Sequence, residues 1–407
     1  MYSLNTAGQA SATGDPTILL YQKINTVFPG ISGALDAALS AWAELLITNI
    51  SLPAALFFVG RPAGNKTNLI NIMRAWNESI YVDQISPHSF VSHLNEDPAK
   101  LDKIDLLPQL PEKLLLTPEM NTFWYQPKDN LFPLIGELTR ILDGQGYWRH
   151  SGVHGMRGFD GKCRFIWLAG TTPIPKGVWE GLGKLGSRLY FYPLDSEPLD
   201  DDALVALVQG DKSYDEAIRE CRDMVSKFTS DLRKQIPVDF KWNNKADDPV
   251  LLKNIARYAD LLARMRGHVE IFYDKEGNYE IDNPIIENHG RAFVWLYNLA
   301  KGHALIHSRS QISDDDLKFL AQVAASSAPY DRVKMVRSLI RNTHSQKEWM
   351  LIEDFKKELG ITEKPIMKRC RILAALGVVE LDNEARGTPG RPPVSISLNR
   401  RFKDLTL

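Results

Sequence analysis

The apolar run Ala54-Ala-Leu-Phe-Phe-Val59 leads directly into Gly60-Arg-Pro-Ala-Gly-Asn-Lys66-Thr67, and a helical pattern follows over 67–76. An uninterrupted apolar stretch of this length, set off by Pro53, predicts a buried strand. A glycine-bearing turn between such a strand and a helix predicts a loop whose N–H groups, with the helix N-terminus, cradle phosphates. Gly60, Gly64 and Asn65 would shape that cradle, Lys66 would neutralise β/γ charge, and the Thr67 hydroxyl would hold Mg2+. The match to G-x-x-x-x-G-K-[ST] fails at one place, because Asn65 occupies the second glycine position. Asparagine is the non-glycine residue that most readily accepts positive φ, so the loop geometry is expected to survive. The plain alternative is an ordinary strand-to-helix turn with a solvated lysine.

Further apolar strands are predicted at 79–82, 113–117 and 163–171, separated by helical stretches such as 33–49, 67–76 and 130–143. Strands apolar throughout and alternating with helices imply a parallel sheet covered on both faces, hence an α/β domain over 30–198. Beyond it, charged amphipathic segments to Arg341 predict a mostly helical region with one hairpin-like interruption at IFYDKEGNYEI. From Ser345 the chain reads as helix 347–359, a turn at Gly360, helix 362–376, and two strands around a Gly/Pro/Arg tip, the pattern of a winged helix. The 407 residues thus divide into an N-terminal arm (1–29), the α/β core (30–198), a helical region (199–342) and a winged helix (343–407).

Composition narrows the function classes. With 44% hydrophobic and 24% charged residues the chain is of ordinary globular make-up, and a formal charge of −1 advertises no global field for nucleic acid or membrane. Three scattered cysteines, Cys163, Cys221 and Cys370, give neither a disulfide framework nor a zinc spacing, which favours a reducing interior. The polar start MYSLNTAGQASATGDP has no apolar h-region, so a cytoplasmic location and no membrane contact are expected.

The run Leu114-Leu-Leu-Thr117-Pro118-Glu119 stands where a phosphate-loop fold places its acid-ended strand. Pro118 replaces the Asp that orients Mg2+, while Glu119 keeps the position of the acid that polarises the attacking water. Thr117 could assist the metal only through a neutral oxygen, so slow or absent hydrolysis is expected.

The order of phosphate loop, acid-ended strand, a strand ending in Thr171-Thr172, a Ser187-Arg188 pair and a later helical Arg291 resembles an AAA+ ATPase. Within that class, LGKLGSRLYFYPL (182–194) is similar to the S-R-F block of the minichromosome maintenance helicases and their mobile-element relatives, and Gly290–Leu305 with Ile312-Ser-Asp-Asp-Asp-Leu317 is similar to their sensor-two helix and its continuation. The resemblance covers about 50–200 and 285–325. It implies an AAA+ core with a helical lid, Mg2+ and ATP as cofactors, Arg188 as a finger acting on a neighbour's γ-phosphate, Arg291 as sensor two, and Thr171 or Thr172 as sensor one, where the family more often carries Asn. A finger supplied in trans makes the chemistry depend on assembly, so a ring or filament of identical chains is implied.

Two regions are candidates for DNA. GQGYWRHSGVHGMRGFDGK (144–162) holds Tyr147, Trp148, Phe159, Arg149, Arg157, Lys162 and six glycines, and resembles the pre-sensor hairpin of those helicases. Basic groups there would contact phosphates while an aromatic stacks on a base; a subunit-packing wedge is the alternative. His150 and His154 lack further ligands nearby, so no metal is expected. In 343–407, twelve basic against nine acidic residues, with Lys364, Lys368, Arg369 and Arg371 on one helix and Arg386 and Arg391 at the wing, suit a major-groove helix and a phosphate-reaching wing. The leading reading is an oligomeric AAA+ nucleotide-binding protein engaging DNA in replication or mobile-element maintenance. Its rival is an ATP-gated switch or assembly factor with little turnover whose winged helix binds a protein, as in anti-phage defence.

Overall fold

The computed structural model describes residues 15–86, 88–92, 96, 98–152, 155–186, 188–194, 201–202, 205, 209, 213–273, 279–345, 347–382 and 394–407. The chain forms two compact units, each built from separated segments. One comprises 1–175, 188–248 and 298–316, the other 176–187, 249–297 and 317–407.

The first unit is built on five parallel strands, β1 (Ala54–Val59), β2 (Ser79–Tyr81), β3 (Leu114–Thr117), β6 (Ile166–Thr171) and β7 (Leu189–Pro193), in the order β2-β3-β6-β1-β7. Strands β3 and β6 are buried at every residue and β1 and β7 at all but the last, as a sheet flanked by helices requires. The pleat sends Phe57 among Trp124, Trp167 and Phe191 while its neighbour Phe58 packs against Tyr192. Helices α1 (Pro16–Val27), α2 (Ser32–Ala43), α3 (Lys66–Met73), α4 (Pro98–Ile104), α5 (Asn121–Trp124) and α6 (Lys128–Ile141) belong to this unit, as does the hairpin β4 (Gly146–Ser151) and β5 (Gly155–Asp160).

Of the N-terminal arm, Pro16–Val27 form a helix. Asp15 caps α1, its side chain accepting from the Thr17 N–H at 2.9 Å, and α1 packs on α2. The helix predicted over 33–49 stops at Ala43 and finishes as a 3-10 turn, Glu44–Leu46. Arg164, just before β6, donates to Leu45 O (3.2 Å) in that turn and to Ile47 O (2.7 Å) and Ile50 O (2.8 Å) in the segment after it.

The expected helical region 199–342 does not stand by itself. Helix α8 (Tyr214–Gln235) lies against α1 and α3, where Arg222 donates to Asn71 O at 2.7 Å, and Thr48 and Asn49 bond to Phe240 and Trp242. The second unit takes α7 (Lys176–Leu185), α9 (Pro249–Arg266), the hairpin β8 (Ile271–Tyr273) and β9 (Tyr279–Ile281), and the C-terminal module. There Arg264 donates to Leu376 O at 3.0 Å, and a Cβ at Gly267 would sit 2.5 Å from Leu376 Cδ2. These contacts join 249–297 to the C-terminal module. Helix α10 (Gly290–Ile306) is divided between the units at Tyr297 and Asn298, and α11 (Asp314–Ser326) after Asp316; α12 (Tyr330–His344) falls in the second.

The module itself runs β10 (Met350–Leu351), α13 (Ile352–Leu359), α14 (Glu363–Ala375), β11 (Val379–Asp382) and β12 (Ser395–Leu398), with an antiparallel sheet in the order β10-β12-β11. The expected helix 347–359 therefore starts at Ile352, after a short strand that pairs Met350 with Ile396. Gly360 ends α13 at φ 63, the left-handed cap a glycine suits.

Candidate functional site

At the C-terminal ends of β1, β3 and β6 lies a pocket of about 280 Å3, lined by Pro62 to Asn68, Glu119, Asn121 and Thr172. Three segments more than fifty residues apart in sequence meet there because β6 lies between β1 and β3. Asn65 has φ 62 and ψ 7, the left-handed conformation expected of a residue in a glycine's place. Its side chain is also used: Nδ2 donates to Pro29 O at 3.2 Å, and Oδ1 accepts from Asn68 at 2.9 Å. Gly60 is required by close approach, since a Cβ there would lie 2.7 Å from Leu194 O.

Lys66 is 5% exposed and donates to two carbonyls of its own loop, Gly60 O at 3.0 Å and Arg61 O at 2.6 Å. Burial pushes its ammonium below the ordinary lysine value, while Glu119 pulls the other way. Thr67 is exposed at the pocket wall.

The acid-ended strand is held close to β6. A Cβ at Gly170 would lie 2.4 Å from Pro118 O, and Met120 N–H donates to Gly170 O at 2.9 Å. Glu119 thereby reaches the pocket, one oxygen accepting from Asn121 N–H at 3.0 Å. Thr117 does not: it is fully buried and its hydroxyl accepts from the Trp167 indole at 3.1 Å. Its expected assistance to a metal is corrected, because the strand pleat points it into the core. Thr171 is likewise buried, accepting from Trp124 Nε1 at 3.1 Å. Thr172 lines the pocket, with its hydroxyl donating to Asn121 Oδ1 at 2.7 Å. Asn121 has no counterpart among the sequence-derived candidates; its only signal is its place two residues past the strand-end acid.

Arg188 precedes β7, whose Leu189 pairs with Ala55 and whose Pro193 pairs with Val59. It therefore sits at the end of the sheet away from the loop, roughly 16 Å along the strand at ~3.3 Å per residue, and pairs with Asp143 at 3.1 Å. Arg291 stands in the first turn of α10, in the second unit.

The hairpin expected around Tyr147 to Phe159 exists, but its two arginines face inward. Arg149 and Arg157 are cross-strand partners, 12% and 15% exposed, and bind Glu137 (2.7 Å) and Asp105 (3.2 Å). The expectation that both meet external phosphates is corrected: like charges directly opposed on one face are compensated from within. Burial pushes Glu137 up to about 7, against the pull of Arg149. The other face exposes Trp148 and Met156, and Lys162 is exposed beyond β5. On α14, Lys368 is half-buried and Arg369 lies 3.5 Å from Asp331. His154, Arg386 and Arg391 lie outside the described residues.

A second polar cluster was not legible in the sequence. His303 and His307, one turn apart on α10, meet Asp36 of α2, and the three present ligand atoms within 4.8 Å of one another. Each ring nitrogen is turned to a carboxylate of the same chain. His303 faces Asp316 through Nδ1 (2.5 Å) and Asp36 through Nε2 (3.1 Å); His307 faces Asp15 through Nδ1 (2.8 Å) and Asp36 through Nε2 (3.0 Å). A nitrogen facing a carboxylate carries a proton, so both rings are imidazolium and have no lone pair to give. Burial alone would lower His303, but Asp316 and Asp36 hold it up to about 9. With Arg309 on Asp316, three cations meet three aspartates.

No protein-family model matches this chain, and no curated protein matches its sequence, so the functional reading rests on the pocket and its geometry.

Proposed function

We propose that this chain is a nucleoside-triphosphate-binding protein of the AAA+ type, similar to the minichromosome maintenance group, that assembles with copies of itself and engages DNA. The observation that carries the reading is the single pocket in which the Gly60–Thr67 loop, with Asn65 left-handed, meets Glu119 and Thr172. Loop N–H groups and Lys66 would take the phosphates, Thr67 would complete the coordination of Mg2+, and Glu119 would orient a water. Arg188, remote from its own pocket, suits action on a neighbouring subunit. The exposed face of the hairpin, with Trp148, Met156 and nearby Lys162, is the DNA-facing candidate in place of the arginines. The order β10-α13-α14-β11-β12 supports a winged helix, with Lys368 on its second helix.

A second reading, an ATP-gated switch whose C-terminal module holds a protein partner, is favoured by one specific observation. Pro118 offers no carboxylate and the Thr117 hydroxyl is spent on Trp167, so only Glu119 remains for hydrolysis.

Turnover of Mg·ATP by the full chain, measured over a range of protein concentrations with and without single- and double-stranded DNA, separates the readings. Specific activity should rise with protein concentration, and Arg188→Ala should reduce it by ~10³ while ATP affinity stays unchanged. Activity strictly proportional to protein and indifferent to Arg188→Ala would remove the trans arrangement. Saturable ATP binding without turnover under any of these conditions would select the switch.

A further inference from the structure

The side-chain amide of Asn121 has two chemically different ends, and the fold fixes which faces where. Oδ1 accepts from the Thr172 backbone N–H at 3.0 Å and from the Thr172 hydroxyl at 2.7 Å, with the Thr171 hydroxyl at 3.4 Å. A backbone N–H can only donate, so the amide oxygen must face Thr172 and the flipped orientation is excluded. Nδ2 is thereby turned away from Thr171 and Thr172, and no acceptor among the described residues engages it. Asn121 lines the same pocket as Gly64, Lys66, Thr67 and Glu119. Its backbone is fixed as well, since its N–H donates to Glu119 Oε1 at 3.0 Å.

The geometry points to Asn121 as the residue that contacts the terminal phosphate, with Nδ2 donating to a γ-phosphate oxygen and Thr172 acting as the positioning residue that holds the amide. The inference rests on the reading of this pocket as a triphosphate site. The loop and Lys66 approach the phosphate chain from β1, whereas Asn121 and Glu119 approach from the end of β3, across the pocket from the loop. A donor on that side meets the phosphate group that distinguishes ATP from ADP. The amide is supplied by the first residue of α5, just past β3, and Thr172 orients it.

Calorimetric titration of the full chain with Mg·ATP and Mg·ADP tests this. Asn121→Asp keeps the shape and the acceptor that Thr172 needs, but replaces the donor with a charged acceptor; Asn121→Ala removes both. The preference for ATP over ADP should fall by about tenfold or more in Asn121→Asp, with the melting temperature unchanged. Thr172→Val should reduce the preference by a smaller factor. Should both Asn121 variants keep the wild-type ratio, or lose ATP and ADP affinity in parallel, the assignment of Asn121 is overturned. If Lys66→Met still weakens both nucleotides in that case, the pocket reading survives without it. A wild-type chain that binds neither nucleotide overturns the pocket reading and this inference together.

Discussion

The first unit holds two polar clusters of opposite design. In the aspartate–histidine network every ring nitrogen of His303 and His307 meets a carboxylate of the same chain, and the charges cancel. In the pocket beyond β1, the amide nitrogen of Asn121 and the hydroxyl of Thr67 have no partner among the described residues, and Lys66 is satisfied only by carbonyls of its own loop. A closed set of buried partners does structural work, because removing one member strands the rest. Donors gathered around an open cavity carry no such constraint, and on the reading proposed above they face the phosphates of a nucleotide. The histidine pair is the cluster that residue type alone would single out as a ligand site; partner geometry reverses that ranking.

The largest expected effect breaks the closed cluster. Asp36 accepts from both imidazoliums and from Tyr21, so Asp36→Asn should destabilise the first unit by roughly 3–5 kcal/mol. Urea unfolding should show that loss, while nucleotide affinity of the folded fraction is unchanged. Loss of nucleotide affinity without loss of stability would invert the comparison.

A slightly smaller effect should follow pH. His303 is held up to about 9, above the ordinary 6.5, so its contribution is complete below about pH 6.5 and disappears as pH rises through about 9. Stability should therefore fall by on the order of 3 kcal/mol across that interval. On the acid side, burial would raise Asp316, but bonds from His303 and Arg309 hold it below the ordinary carboxylate range. Its contribution persists down to about the ordinary carboxylate pKa and is lost as pH falls further. A melting temperature flat from pH 6 to 9 would show that the rings are neutral and the cluster is open to a metal after all.

The pocket was largely legible in the sequence because its signals are local. An apolar strand, a glycine-bearing turn, Lys66-Thr67 and an asparagine tolerant of positive φ are contiguous in the sequence. Glu119 and Thr172 were readable as strand ends. What stayed hidden depends on contacts between remote segments. Arg149 and Arg157 read as free basic groups until Glu137 and Asp105 are placed beside them. Asn121 means nothing until the close approach at Gly170 sets it beside Thr172. The division into units escaped a linear reading because α10 serves both, and because Gly267 and Arg264 tie the middle of the chain to Leu376.

On the reading proposed above, the turn after β1 holds the phosphates of a nucleotide. It is tested most directly by titrating the full chain with Mg·ATP beside Lys66→Met, which keeps the buried aliphatic stem and removes only the charge. Binding should show one site per chain, with an affinity lower by about 2 kcal/mol, some thirtyfold, in the variant. Equal affinity in the two proteins would contradict it.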